Sequence, residues 1–359
     1  MHKHTNSIIC LLISITCSSG CASNKSRLFK IEHLEGFPTT EKGISFGVSG
    51  CFSGMLGDKI ILAGGCNFPQ KSAADGGTKK FYRGIYIGKV SRNNRIYWTK
   101  VGQLPEPLAY GITIKYKNSL LFIGGKNAIE SVRSIYRLSL IDGNCEVEKF
   151  SQLPYAIFSS AGCVIKDNLY IYGNHELCIL NLRQLDEGWN LVKVNGPQRV
   201  QPCCAEIDGS FALLGGFLPR NTSRLAKICY DGLLYRQDGS WERIELPKEK
   251  QRPIAVVGAC VQQISSGDFI LFGGVCRDVF LLEFNQPSKD YLTHPVEWYR
   301  FNQNIYRYSK NRWKKIGQSR STAKAGASVF MNKNKIYQVG GELKPGVRSP
   351  EIVRISLQE

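Results

Sequence analysis

The stretch Ile60-Ile61-Leu62-Ala63-Gly64-Gly65-Cys66-Asn67-Phe68-Pro69 stops a short apolar run at a glycine pair, and the device recurs along the chain. It returns as Leu120-Leu121-Phe122-Ile123-Gly124-Gly125, Leu169-Tyr170-Ile171-Tyr172-Gly173-Asn174 and Phe211-Ala212-Leu213-Leu214-Gly215-Gly216. Phe269-Ile270-Leu271-Phe272-Gly273-Gly274 and Ile336-Tyr337-Gln338-Val339-Gly340-Gly341 complete the set. From first glycine to first glycine the steps are 60, 49, 42, 58 and 67 residues. A run of four apolar residues bounded by glycine reads as a buried strand. The glycines mark places where the backbone must bend with no room for a side chain.

A strand ending in Gly-Gly and recurring about every 50 residues is the signature of kelch repeats, each one blade of a β-propeller. A second apolar strand and a polar turn precede each pair, as in Gly111-Ile112-Thr113-Ile114-Lys115-Tyr116 followed by Lys117-Asn118, which predicts a hairpin. Two further strands follow each of the first five pairs. The clearest are Asn304-Ile305-Tyr306-Arg307-Tyr308 with Arg312-Trp313-Lys314-Lys315-Ile316, where a Tyr on the third strand precedes a Trp on the fourth. Such aromatics fill the gaps between blades. The last unit lacks its fourth strand, because only Glu351-Ile352-Val353-Arg354-Ile355-Ser356-Leu357 follows Gly341. Arg27-Leu28-Phe29-Lys30-Ile31, with Leu34 beyond, matches the missing one. The expectation is therefore an all-β, six-bladed kelch-type β-propeller, closed by an N-terminal strand that completes the last blade and removes the open sheet edges.

Residues 1–20 read as a signal peptide and residues 21–359 as one domain. The apolar stretch Ile8 to Ile15 is too short to span a bilayer. Ser18-Ser19-Gly20 before Cys21 resembles a lipoprotein cleavage box without its usual leucine, which makes Cys21 the expected lipidation site of an exported, periplasmic or membrane-anchored protein. Ordinary cleavage nearby, giving a soluble exported protein, is the alternative. The formal charge is +18, falling to +17 without the leader, and the basic residues are spread over all blades. No nucleic-acid motif accompanies them and most read as solvated surface; of the two remaining partners, an anionic membrane face and an anionic small ligand, the ligand is the sharper reading, which charge alone does not establish. The ten cysteines beyond the leader region show no metal spacing and read mostly as small buried hydrophobes. His33, His175 and His294 fall in different blades without ligand spacing, so neither metal nor cofactor is expected.

The connection between second and third strands is read as short in blades two to four. It is long in blade one (about residues 66–83) and blade five (about residues 275–302), and densely polar in blade six. These three blades are neighbours around a closed ring, so their loops cluster over one end of the channel. The blade-six loop reads Gly341-Glu342-Leu343-Lys344-Pro345-Gly346-Val347-Arg348-Ser349. Its Pro-Gly turn brings Glu342 toward Arg348. A carboxylate there is a candidate general base and a guanidinium a candidate clamp for a substrate carboxylate. A surface ion pair capping a loop has the same spacing.

Several segments carry a resemblance: Ser49-Gly50-Cys51-Phe52-Ser53-Gly54, Ala63 to Pro69, Gly77-Thr78-Lys79-Lys80-Phe81-Tyr82, Ala109-Tyr110-Gly111 and Gly341 to Arg348. In these the chain resembles the N-acetylneuraminate epimerases, or sialic acid mutarotases, in particular their cyclically permuted branch. The likeness is specific in the first and last blades. It implies that Glu342 is the proton acceptor and that Arg348 is also required, holding the substrate's C1 carboxylate. Lys344, Asn67, Lys80 and Tyr82 are then expected at the substrate, Tyr82 chiefly as an aromatic wedge and secondarily as a candidate acid for the ring oxygen, which the sequence does not identify. The implied activity is exchange of the α and β anomers of N-acetylneuraminate by ring opening and closure. A non-catalytic kelch module binding protein or glycan is the alternative. A sialidase would need repeated Ser-x-Asp-x-Gly-x-Trp turns, which are absent.

Overall fold

The computed structural model describes residues 29–357. The leader and Cys21 lie outside the described residues. Six four-stranded antiparallel sheets are arranged as the blades of a propeller. Blade one is Phe52–Leu56, Lys59–Ala63, Gly84–Val90 and Ile96–Gln103, and the next four blades repeat its order. In blade six the order from the outside is Phe29–Leu34, Ile352–Leu357, Lys335–Val339, Ser328–Asn332. The N-terminal strand pairs antiparallel with the C-terminal one, from Phe29 opposite Leu357 to Leu34 opposite Ile352. Buried Lys324 bonds Glu351 at 2.9 Å, and Glu351 reaches His33 of the closing strand at 2.5 Å.

The apolar interior is divided into wedges between neighbouring blades. Ile61 and Ile85 of blade one meet Leu120 and Phe122 of blade two, and Ile270 and Ile305 of blade five meet Ile336 and Val353 of blade six. The aromatic pairs behave as the sequence suggests: Tyr235 lies 4.9 Å from Trp241 and Tyr308 lies 5.1 Å from Trp313. Outer-strand tryptophans also donate backward to the preceding blade, Trp189 to Gln152 O, Trp313 to Glu245 O and Trp98 to Gly36 O. The last of these treats the N-terminal segment as the outer edge of blade six.

At one end of the channel the six blades are laced by a closed hoop of backbone hydrogen bonds. Tyr110 N donates to Gly50 O, Ser159 N to Tyr110 O, Gln201 N to Ser159 O and Gly258 N to Gln201 O. Gly326 N donates to Gly258 O, and Gly50 N closes the circuit on Gly326 O. All six residues are left-handed, with φ between 49° and 63°, so three side chains there are held against their preference. Gly50 has a second reason to be glycine, since a Cβ would sit 2.6 Å from the Tyr110 ring.

One expectation needs correction. The blade-four connection is not short: it forms its own hairpin, Phe217–Leu218 with Lys227–Ile228, and packs on the blade-five insertion. Phe217 contacts Phe280 and Phe284 at about 5 Å, and the Asn285 side chain brackets Ala226 through both its N–H and its C=O. The apolar residues at the base of this loop require such a partner.

Candidate functional site

The channel opens under the hoop into a cavity of about 490 Å³, within the range of small-molecule sites. Its upper wall is built by the insertion of blade five. There the helix Arg277–Asn285 contributes Val279 and Phe280, and the following loop contributes Tyr291 and Tyr299. Glu342 lines the same cavity from blade six.

Glu342 and Arg348 face each other on a hairpin, Glu342–Lys344 paired with Val347–Arg348, which turns at Pro345-Gly346. Gly346 has φ 83°, the conformation such a turn asks of glycine. Arg348 Nη2 lies 3.0 Å from Glu342 Oε1. The arginine side chain is only 3% exposed, whereas that of Glu342 is 22% exposed. Arg348 donates to Cys66 O at 3.4 Å and to the Tyr110 hydroxyl at 3.3 Å, and its guanidinium lies over Phe68. Its Nη1 is buried without a partner. Burial works against the charge, but the field of Glu342 more than offsets it, so the guanidinium pKa is raised.

Tyr110 is the hub of the cluster. Its hydroxyl lies 3.3 Å from Arg348 Nη2, Lys79 Nζ and Ser49 Oγ, and 3.1 Å from Cys66 Sγ. Ser49 in turn donates to Glu342 Oε1 at 3.3 Å. Two cations donate to the phenol oxygen, and its contact with Ser49 joins it to the hydroxyl that donates to Glu342. Burial pushes the Tyr110 pKa up, with Cys66 and Glu342 adding to it and Arg348 opposing.

The other expected residues are placed differently. Asn67 is buried: its amide donates to Gly43 O and Gly47 O at 2.8 Å, and its carbonyl accepts from Tyr82. Tyr82 is 1% exposed and fills the core between blades six and one. Lys80 turns outward to Lys42 O at 2.8 Å. None of the three lines the cavity; together they fix the segment around residues 42–47 against blade one. Lys344 spends its ammonium on Leu292 O and His294 O, at 3.0 and 2.6 Å, over the Tyr299 ring. It ties the blade-six hairpin to the blade-five insertion. Tyr110, Ser49 and Lys79 were missed as site residues, although the segments containing them carried the resemblance. Among the described residues no group of three His, Cys, Asp or Glu is arranged to hold a metal.

The family model of N-acetylneuraminate epimerases matches residues 19–146 and 150–359. The N-acetylneuraminate epimerase of Haemophilus influenzae (strain PittEE) is 26% identical over 225 residues, which are 58% of this chain and 59% of that protein. N-acetylneuraminate epimerase 1 of Escherichia coli O6:H1 is 27% identical over 243 residues, 57% of this chain and 63% of that protein. The solved structure of YjhT shares the fold with a TM-score of 0.51 at 24% identity, over 57% of this chain and 63% of that one. The matches thus span less than two thirds of these relatives. With the family model covering nearly the whole propeller, the chain belongs to the kelch-type N-acetylneuraminate epimerase family.

Proposed function

We propose that this protein is an exported mutarotase that interconverts the α and β anomers of N-acetylneuraminate. The observation that carries the reading is Glu342: a carboxylate on the wall of a sugar-sized cavity, held from behind by a buried arginine. That arrangement suits a general base whose orientation is set before substrate arrives. Glu342 takes the proton of the C2 hydroxyl as the bond from C2 to the ring oxygen breaks. The electron pair leaves on the ring oxygen, which takes a proton from Tyr291. Burial pushes the Tyr291 pKa up, with the charge of Glu283 and then that of Glu342 adding to it, so this phenol is a weaker acid than a free tyrosine and gives its proton only as negative charge develops on the ring oxygen. The open-chain ketone then presents its other face. Addition of the oxygen to C2 and return of both protons give the other anomer. Arg348 and Ser49 orient Glu342 from the side away from solvent.

Export through the leader, with Cys21 as the first and acylated residue, is part of the proposal and rests on the leader's sequence. The test is anomer exchange of N-acetylneuraminate followed by NMR, with parent protein, Glu342→Gln and Tyr291→Phe. Acceleration by the parent and its loss in both variants are expected. No acceleration by the parent would replace this reading with that of a non-catalytic kelch module.

A further inference from the structure

We propose that Lys79, not Arg348, receives the carboxylate of the substrate, an inference that rests on the reading of the cavity as a site for an anionic sugar. Three ionic groups converge around the Tyr110 hydroxyl: Arg348, Glu342 and Lys79. Arg348 and Glu342 neutralise each other at 3.0 Å. Among the described residues no carboxylate lies within ion-pair distance of Lys79. The cluster therefore carries one uncompensated positive charge, which matches a monocarboxylate.

Accessibility points the same way. Arg348 is closed off by Phe68, Tyr110 and the Cys66 carbonyl, and its unpartnered Nη1 has no open surface. Its bonds are those of a residue positioning Glu342. Lys79 is half-buried and stands over the Phe68 and Tyr110 rings, 5.6 and 5.3 Å from their centroids. Among the described residues its Nζ has one side-chain partner, the Tyr110 hydroxyl at 3.3 Å. An ammonium has three protons, so two remain for a ligand. The strand geometry explains why the choice falls on this lysine. Successive residues entering the strand Lys80–Phe81 point to opposite faces, so Lys80 goes outward to Lys42 O and Lys79 goes inward. Lys79 is not itself on the cavity wall, but Tyr110, to which it donates, and Glu342 both are, so a carboxylate received by Lys79 would enter beside Tyr110, in the cluster that contains Glu342.

The experiment uses the parent, Lys79→Gln, Lys79→Arg and Arg348→Lys. Anomer exchange is measured by NMR for N-acetylneuraminate and for its methyl ester, which lacks the negative charge, and N-acetylneuraminate binding is measured by calorimetry. Lys79→Gln should raise KM and Kd for the acid about 10- to 100-fold, the range of one charged hydrogen-bonding contact, with kcat changed less. It should also abolish the preference for acid over ester, and Lys79→Arg should restore most of both. An unchanged acid-to-ester preference in Lys79→Gln would overturn the proposal, as would loss of that preference in Arg348→Lys alone. If the parent binds the acid without accelerating exchange, the binding arm still decides the role of Lys79, and only the mutarotase reading fails. If the parent neither binds nor exchanges, both fall together.

Discussion

Replacing Glu342 by Gln and, separately, Arg348 by Lys distinguishes a base from the residue that holds it. Glutamine keeps the shape of the side chain, and its carbonyl oxygen still accepts from Arg348 and Ser49. What it loses is basicity, so exchange should slow by about 10²–10⁴-fold. The arginine also loses its counter-charge, but partial exposure of residue 342 lets water screen it, limiting the cost to about 1–2 kcal/mol. Lysine at 348 keeps the charge and loses the fork. The bonds to Cys66 O at 3.4 Å and Tyr110 at 3.3 Å go with it, and both are long. Taking each near the low end for a charged donor gives a loss of about 2–3 kcal/mol. At about 2 cal/mol/K per residue that is a fall in Tm of about 3–4 °C. Arg348 is buried although its loop lies at the surface, so the second substitution lowers stability as well as rate. Thermal unfolding alongside NMR exchange tests both halves. An unchanged rate in Glu342→Gln refutes the base, and a parental Tm in Arg348→Lys refutes the buried clamp.

Gly50→Ala should cost about 2–4 kcal/mol, because the residue is left-handed and its Cβ would meet the Tyr110 ring, and exchange should slow as Tyr110 moves; denaturant melts and NMR rates measure the two. Deleting residues up to 34 should expose the edge of Ile352–Leu357 and cause aggregation by light scattering, and a monodisperse, stable truncation would contradict the closure. Burial raises the Glu351 pKa, but Lys324 and His33 more than reverse this and leave it below its ordinary 4.5. Its contribution is therefore present above that value and lost as pH falls below it, so Glu351→Gln should flatten the acid side of the stability curve. Mass spectrometry of the mature N-terminus should find Cys21 first and acylated; an unmodified terminus elsewhere removes the anchor.

The scaffold was legible because strand, bend and inter-blade packing are local demands repeated six times. A missing last strand at one terminus and a spare one at the other gave the closure. The Glu342–Arg348 pair was legible because a Pro-Gly turn folds a short loop in only a few ways. Tyr110 was not, since its role depends on three segments, 49–66, 79 and 342–348, that meet only in the closed ring. The choice of Lys79 over Lys80 turns on one residue of strand parity, which a two-residue strand does not announce. Asn67 and Tyr82 sit beside the site in sequence, yet their polar atoms are used up in holding the segment around residues 42–47.

The hoop of backbone bonds has neither beginning nor end, and its six links are chemically alike. Termini opened at any outer strand would leave every link intact, so the scaffold is indifferent to where its gene starts. The proposed chemistry is not, because its residues come from blades five, six and one and from the link at Tyr110 between blades one and two. In this chain the ends meet in blade six, the blade that carries Glu342 and Arg348. A loosened terminus therefore disturbs the Glu342–Arg348 pair before it disturbs the rest of the wheel, and under the proposed function an open ring would lose turnover before it lost its shape.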